Sequence, residues 1–555
     1  MNLRGVGVSP GVGHGPSYVL SVSVPEPPEG AAYAGEAEQE KERAMTALTQ
    51  VAGELEARGN RAGGEAEEIL KAQALMAEDP GVVVKVRSLI DRGLAAPRAV
   101  FEAFTKYRDV LAGSGGYLGE RAADLNDIRD RVIAVLYGQA MPALPASPAE
   151  PYVLVARDLA PADTALLSRA QVAAFVTEEG GPTSHTAILA RAMGVPAVVA
   201  CPGATGIPHG VRVMVDGTSG EVSVEPAQAH VAEAVGAASA RQAALSAARG
   251  PGRTADGQPV PLYANVGSPA DLDAALAAEA EGVGLYRTEF LYLDRTRPPS
   301  PEEQRRAYRQ ALEAFPGGKI CVRTLDSGAD KPLAFLPVPA EPNPALGERG
   351  LRLFRRFPEV MAAQLDALAA VAEEGLQVMA PMVATTQDAA WFVRACRDRG
   401  LPSAGVMIEI PAAALRARDL LAHADFVSIG TNDLSQYAFA ADRQLGAVSA
   451  LQDPWQPALL DLVAMTAQAA TRAGKPCAVC GEAAADPVMA CVLAGLGVGS
   501  LSMAPSSLAA VRAGLAAHSL DQCRTAARAA QAQPTAADAR AAARAHLPGL
   551  ARLGL

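Results

Sequence analysis

After Gly252 one arrangement recurs eight times: a short β-rich apolar run, then a stretch with helical spacing. The runs are 261–266, 282–287, 319–325, 376–382, 404–410, 425–431, 476–482 and 500–505. Eight strand–helix units in series close into a (β/α)8 barrel of the TIM type, the arrangement that buries every strand and hides every sheet edge. The residues that end these runs carry chemistry. The second run ends in Arg287, the third reaches Arg323 and the fifth Glu409. The sixth passes into Asn432 and Asp433, with Arg443 following, and the seventh holds Cys480. Catalytic groups of such barrels gather at the C-terminal ends of the strands.

Three arginines suit an anion with two acidic groups, because each guanidinium offers a planar fork to a carboxylate or phosphate. Asn432 adds a hydrogen-bond donor for phosphate. Glu409 and Asp433 are hard oxygen ligands, suited to Mg2+, which takes few carboxylates and completes its shell with substrate oxygens. Each residue alone reads as an ordinary salt bridge or loop contact. Six such groups at strand ends read as one site for a transferring phosphoryl group, whose spread charge a metal and arginines stabilise. Cys477 and Cys480 also form a CxxC. A redox pair needs a strand–helix setting that a barrel strand lacks, and zinc needs a second ligand pair that the sequence does not offer.

The first half is built differently. Residues 1–24 alternate glycine with small apolar residues and read as a small β element. From Glu36 to Tyr137 the periodicity is helical, broken near Gly63-Gly64, Asp79-Pro80-Gly81, Gly93 and Gly113–Gly116. About four helices in a bundle are expected, with an acidic surface of Glu65, Glu67, Glu68, Glu78 and Asp79. A Pro/Ala stretch, 140–150, leads to a β/α unit between Tyr152 and Val224, and an Ala-rich helix over 226–250 connects the halves.

Within that unit lies GGPTSHTAILAR, residues 180–191. Gly180 and Gly181 allow close backbone approach, and Ser184 or Thr183 caps a new helix. His185 then sits in the first helical turn, where free N–H groups and the helix dipole favour an anion. A lone histidine there is an incidental cap residue. The whole string makes it a seat for an imidazole that accepts a phosphoryl group.

The totals exclude other classes. A net charge of −11, with no basic tract, argues against nucleic acid or acidic membranes as partners. Seven cysteines, Cys201, Cys321, Cys396, Cys477, Cys480, Cys491 and Cys523, are odd in number and mostly lie in apolar runs. They read as free thiols in a reducing cytoplasm. The uncharged stretch Pro487–Val511 is punctuated by Gly, Ser and Pro, so it reads as buried helix, loop and strand rather than a membrane span.

The string at 180–191 closely resembles the phosphohistidine signature of enzyme I of the phosphoenolpyruvate-dependent sugar phosphotransferase system. LYRTEFLY (285–292), VRTLD (322–326), VMIEIPAAA (406–414), DFVSIGTNDLSQY (425–437), ADR (441–443) and CGEAAADP (480–487) resemble its phosphoenolpyruvate-binding barrel. GERAADLNDIRDRV (119–132) resembles the last helix of its inserted subdomain, and Thr164 matches a position near the histidine. The resemblance runs along nearly the whole chain.

It implies a multidomain α/β protein. Residues 1–24 and 140–225 would form the phosphohistidine domain and 25–139 a helical subdomain that docks the phosphocarrier protein HPr. Residues 226–252 would be a linker helix, and 253–555 the phosphoenolpyruvate-binding and dimerisation barrel. Arg287, Arg323, Asn432, Asp433 and Arg443 would contact phosphoenolpyruvate, and Glu409 and Asp433 would hold Mg2+. His185 would carry the phosphoryl group on its tele nitrogen, and Cys480 would protonate the pyruvate enolate. The implied protein is a cytoplasmic homodimer with no inserted membrane segment. Two departures stand out: Gly328-Ala329-Asp330-Lys331 where the family commonly reads GGDK, and an unusual LQDPWQPAL at 451–459. Two alternatives remain. A pyruvate phosphate dikinase or phosphoenolpyruvate synthase shares these parts but adds a large nucleotide-binding module, and this chain has no GxxxxGK[ST] loop. A regulatory paralogue would have lost turnover, against the intact set of polar residues.

Overall fold

A computed structural model describes residues 2–20, 26–62, 64–114, 122–139, 148–159, 167, 170–181, 184–293, 295–329, 332–339, 341–443 and 445–555. Thr164 and the segments Pro182–Thr183 and Asp330–Lys331 lie outside them, as does most of the 140–150 stretch. The chain divides into two compact units, Met1–Ala238 and Ser239–Leu555.

In the first unit, the glycine-alternating N-terminus becomes β1 (Asn2–Arg4), β2 (Val6–Ser9) and β3 (Val12–Leu20). These join β4 (Tyr152–Ala156), β5 (Val172–Thr177), β6 (Ala197–Val199), β7 (Arg212–Asp216) and β8 (Glu221–Val224) in one sheet. The strand order is β1-β8-β7-β3-β4-β5-β6-β2. The middle, β3 to β6, is parallel, and the flanks are antiparallel. Both faces are covered: one buried cluster includes Leu154, Phe175 and Ala187, the other Val155, Val176 and Val215. The central strands therefore read as unbroken apolar runs.

Among the described residues, five helices run between β3 and β4: α1 (Ala37–Ala62), α2 (Gly64–Ala77), α3 (Pro80–Asp91), α4 (Ala96–Ser114) and α5 (Ala122–Leu136). They share a core of their own, from Leu48 and Leu55 to Phe104 and Ile128. The sequence suggested about four helices. Its first three breaks fall where helices end, α4 ends at Ser114 inside the fourth, Gly113–Gly116, and α5 makes a fifth helix among the described residues. Asp79 starts α3 by accepting from the amides of Gly81, at 2.8 Å, and Val82, with Pro80 in the first turn, where its missing N–H costs nothing. Helix α6 (His185–Met193) follows β5, and α7 (Gln228–Ala247) has no buried residue.

The second unit is a closed, all-parallel barrel of β9 (Leu262–Val266), β10 (Gly282–Arg287), β11 (Lys319–Arg323), β12 (Leu376–Ala380), β13 (Ala404–Ile408), β14 (Val427–Ile429), β15 (Cys477–Val479) and β16 (Ser500–Met503). All eight expected strands are present. Six stop short of the sequence reading, because the residues beyond turn out of the ladder; after β13, β14 and β15 the first of these are Glu409, Gly430 and Cys480. Pro487–Gly495 is a buried helix leading to β16, as its glycines and prolines indicated. No helix among the described residues is long and apolar enough to cross a membrane. The main core packs the strands against the outer helices. A separate buried cluster of Leu285, Cys321, Met379, Met407, Phe426 and Cys480 comes from successive strands.

Candidate active site

Barrel register sets the site. Arg287 and Arg323 are direct partners at the ends of β10 and β11. Ile408, Ile429 and Val479 line up across β13, β14 and β15, so Glu409, Gly430 and Cys480 each follow by one residue at one level. Asn432 and Asp433 lie in the first turn of the helix Thr431–Ala438. The result is a cleft of about 280 Å³ lined by Arg287, Arg323, Glu409, Asn432, Asp433, Arg443 and Cys480. The seven barrel residues expected to act together all line this one cleft; Cys477 does not.

Its electrostatics are tightly cross-linked. Arg323 donates to Glu289 at 2.5 Å and lies 3.3 Å from Asp326 and 3.8 Å from Glu409. Burial pulls its basicity down, but these three carboxylates outweigh burial and hold it above its ordinary value. Arg443 is looser, 3.7 Å from Asp433 and about one-third exposed. Arg287 makes no ion pair among the described residues, which leaves its fork for an incoming anion. Asn432 accepts from the Glu482 amide at 3.1 Å through its oxygen, so its NH2 remains a donor.

Glu409 is buried and accepts from the Met382 amide at 2.8 Å. That amide is aimed by an unusual backbone: Met382 has φ +56°, a strained value for a residue with a side chain. Gly430 makes room beside it, since a Cβ there would lie 2.8 Å from Glu409 Cγ. Burial pushes the Glu409 carboxyl up, and the neighbouring charges of Asp433 and Asp326 push it further. A divalent cation relieves all three causes, so Glu409 and Asp433 fit the pair of hard ligands that Mg2+ takes beside substrate oxygens. Among the described residues no cluster of three or more His, Cys, Asp and Glu is set to hold a metal unaided.

Cys480 is buried, its thiol facing the Ile429 carbonyl at 3.7 Å. Burial raises its pKa, so it stays a protonated donor at neutral pH. Cys477 is also buried, and both thiols are free. Asn265 fixes the Cys480 backbone by donating to its carbonyl at 3.1 Å, and is itself held by Ser502.

Sequence reasoning missed Arg349, Asp326, Glu289 and Tyr437. Arg349 is 1% exposed and clasps Asp326 with two bonds, of 2.8 and 3.2 Å. Its remaining nitrogen reaches Asp433 at 3.1 Å and Tyr437 at 3.3 Å. Arg349 lies in the connection between β11 and β12, away from any strand end, so no periodicity marks it. Glu289 stands two residues after Arg287, and its partner Arg323 lies 34 positions on, so the sequence alone does not pair them.

In the first unit, Ser184 caps α6 by accepting from the Ala187 amide at 3.3 Å, and Gly194, at φ +62°, ends the helix. His185 is therefore the first residue of the helix, as its sequence indicated. Gly180 has φ +95°, which turns the chain from β5 toward that cap.

Family models for PEP-utilising enzymes match three stretches: the N-terminal domain over residues 4–121, the mobile domain over 148–220 and the PEP-binding domain over 241–520. A phosphoenolpyruvate-protein phosphotransferase of Streptomyces coelicolor is 59% identical over 99% of both chains. The chain belongs to the phosphoenolpyruvate-protein phosphotransferase family. Two further relatives of that name are more distant. The one from Haloferax volcanii is 40% identical over 93% of this chain and 94% of its own. The one from Bacillus subtilis is 37% identical over 92% and 93%. Membership spans both units of the chain, and the (β/α)8 barrel coincides with the family's PEP-binding domain.

Proposed function

We propose that the chain transfers the phosphoryl group of phosphoenolpyruvate to the tele nitrogen of His185, releasing pyruvate, and then to a histidine of the phosphocarrier protein HPr. The observation that carries this reading is the barrel cleft, where anion forks, two metal-type carboxylates and a protonated thiol meet in a chain 59% identical to a phosphoenolpyruvate-protein phosphotransferase.

Phosphoenolpyruvate carries a carboxylate and a phosphate. Arg287, Arg323 and Arg443 bind these groups, and Asn432 donates to a phosphate oxygen. Mg2+ on Glu409 and Asp433 supplies positive charge for the phosphoryl oxygens when bound. The His185 nitrogen attacks phosphorus in line, the bond from phosphorus to the enol oxygen breaks, and its electron pair leaves with the enolate. Cys480 gives its proton to the enolate methylene carbon, which yields pyruvate and a thiolate that solvent reprotonates. In the second step a nitrogen of HPr takes the phosphoryl group as the bond from phosphorus to His185 breaks.

The domain division follows the same reading: residues 1–24 with 140–225 carry His185, 25–139 dock HPr, 226–252 link, and 253–555 bind phosphoenolpyruvate and dimerise. Free, buried thiols fit a cytoplasmic protein. The test is to mix the pure protein with phosphoenolpyruvate and Mg2+ and to follow pyruvate and acid-labile protein phosphate, beside His185→Ala. One pyruvate per chain, with no label in the variant, is expected; HPr should then discharge the label. A requirement for ATP would overturn the assignment in favour of a dikinase.

A further inference from the structure

Arg323 sits among three carboxylates at graded distances: Glu289 at 2.5 Å, Asp326 at 3.3 Å and Glu409 at 3.8 Å. All four residues are buried. A guanidinium so placed has two ways to settle. It can stay on Glu289, or it can close on Glu409 and form a paired fork there. The second arrangement is electrostatically strong, since the low-dielectric interior magnifies any charge pair. It would also occupy the Glu409 oxygen that a metal needs.

The turn after β10 holds it to the first arrangement. Glu289 opens a single 3₁₀ turn, Glu289–Leu291, and its carbonyl is fixed by the amides of Tyr292, at 2.8 Å, and Leu293, at 2.9 Å. One carboxylate oxygen of Glu289 takes both the Arg323 guanidinium and the Asp326 amide, the latter at 3.0 Å. Thr288 grips the same arginine from behind, donating to its carbonyl at 2.9 Å. The grip uses one oxygen only. The other Glu289 oxygen and the Arg323 Nε are buried with no hydrogen-bond partner. A residue serving only to neutralise Arg323 would pair with it through both oxygens. This one steers the guanidinium and leaves part of its fork unspent.

We propose that Glu289 is a positioning residue that holds Arg323 off Glu409 and so keeps the Glu409 carboxylate open to a divalent cation. This rests on the reading of Glu409 and Asp433 as metal ligands. Without Glu289, the nearest strong acceptors for Arg323 are Asp326 and Glu409, and any swing toward Glu409 sets arginine and metal in competition for one carboxylate.

Mn2+ binding, read from the loss of the free-ion paramagnetic resonance signal, tests this on the full chain without turnover. Glu289→Ala is expected to weaken Mn2+ binding about tenfold, the low end of what losing a ligand's supporting partner costs. Glu289→Gln keeps the accepting oxygen but loses the charge, so it should fall between. The deciding variant is Glu289→Ala with Arg323→Gln. Removing the competitor should restore Mn2+ affinity to at least the wild-type value. Wild-type affinity in Glu289→Ala, or no recovery in the double variant, would overturn the proposal while leaving the metal site in place. No Mn2+ binding by the wild type at millimolar metal would instead overturn the metal-ligand reading on which it rests.

Discussion

Replacing Arg349 by methionine should unfold the barrel early, and the structure sets the size of the effect. The side chain is 1% exposed and makes two bonds to Asp326 and one to Asp433. Methionine fills much of the same volume, so the cavity cost is small and the loss is electrostatic: two buried carboxylates lose their shared cation. Breaking a buried pair in this way costs about 3–5 kcal/mol. With a urea m-value of about 3 kcal/mol/M, the midpoint falls by roughly 1–1.7 M. The assay is selective, because the only two tryptophans, Trp391 and Trp455, both belong to the second unit. Tryptophan fluorescence therefore follows the barrel alone. The pH dependence has a definite sign. Asp326 keeps Arg323 and Asp433 keeps Arg443, but losing Arg349 makes protonation of these buried carboxylates easier than in the wild type, so the deficit is present at neutral pH and shrinks as pH falls toward the ordinary aspartate value of about 4. The deficit of Arg349→Met should thus be smaller at pH 5 than at pH 7.5. A midpoint within about 0.3 M of wild type at pH 7.5, or a deficit that does not change with pH, would refute the reasoning.

Three further outcomes are expected. Gly430→Ala sets a Cβ within 2.9 Å of a Glu409 oxygen, so stability should drop by about 1–3 kcal/mol and Mg2+ affinity with it, measured by denaturation and metal titration. Glu409 is raised from 4.5 to about 7, by burial first and then by Asp433 and Asp326, so its ionisation costs stability as pH rises through that window; Mg2+, which needs the ionised form, should bind more tightly across the same window, as titrations at pH 5.5 and 8 would show. Cys480→Ala should slow pyruvate release by about 10²-fold or more; in the wild type, burial keeps the thiol protonated beyond its ordinary 9.0, so the rate should hold through pH 8–9, where an ordinary thiol would already be losing its proton.

The barrel was legible because its information is local. Each strand carries its own β-rich run, and the register that aligns Glu409 with Cys480 follows from closing eight such runs. The helix start at His185 was legible for the same reason, since a capped helix start is written in adjacent residues. Arg349 was not, because its partners Asp326 and Asp433 meet it only through folding. Glu289 and Arg323 likewise become a pair through strand register, 34 positions apart in sequence. The strain at Met382 left no trace either: a positive φ on methionine is imposed by the packing of the site, not by its own preference. The breaks in the helical insert were legible because Gly and Pro mark them locally, the last falling where α4 ends at Ser114.

The position of that insert has a kinetic consequence. β3 ends at Leu20 and β4 begins at Tyr152, yet the two are parallel neighbours at the centre of the sheet. Joining them directly from an unstructured chain closes a loop of roughly 130 residues, an entropy cost of about 4 kcal/mol beyond the constant term. The helices carry a core of their own, so they can condense by short-range contacts before the strands meet. A folded bundle with neighbouring ends makes that long closure a short one. Refolding should then show two phases, helix formation followed by a slower step as β3 docks on β4. A ribosome would release the N-terminal strands long before their partners emerge, so β1 to β3 must wait, unpaired, for the bundle behind them to fold.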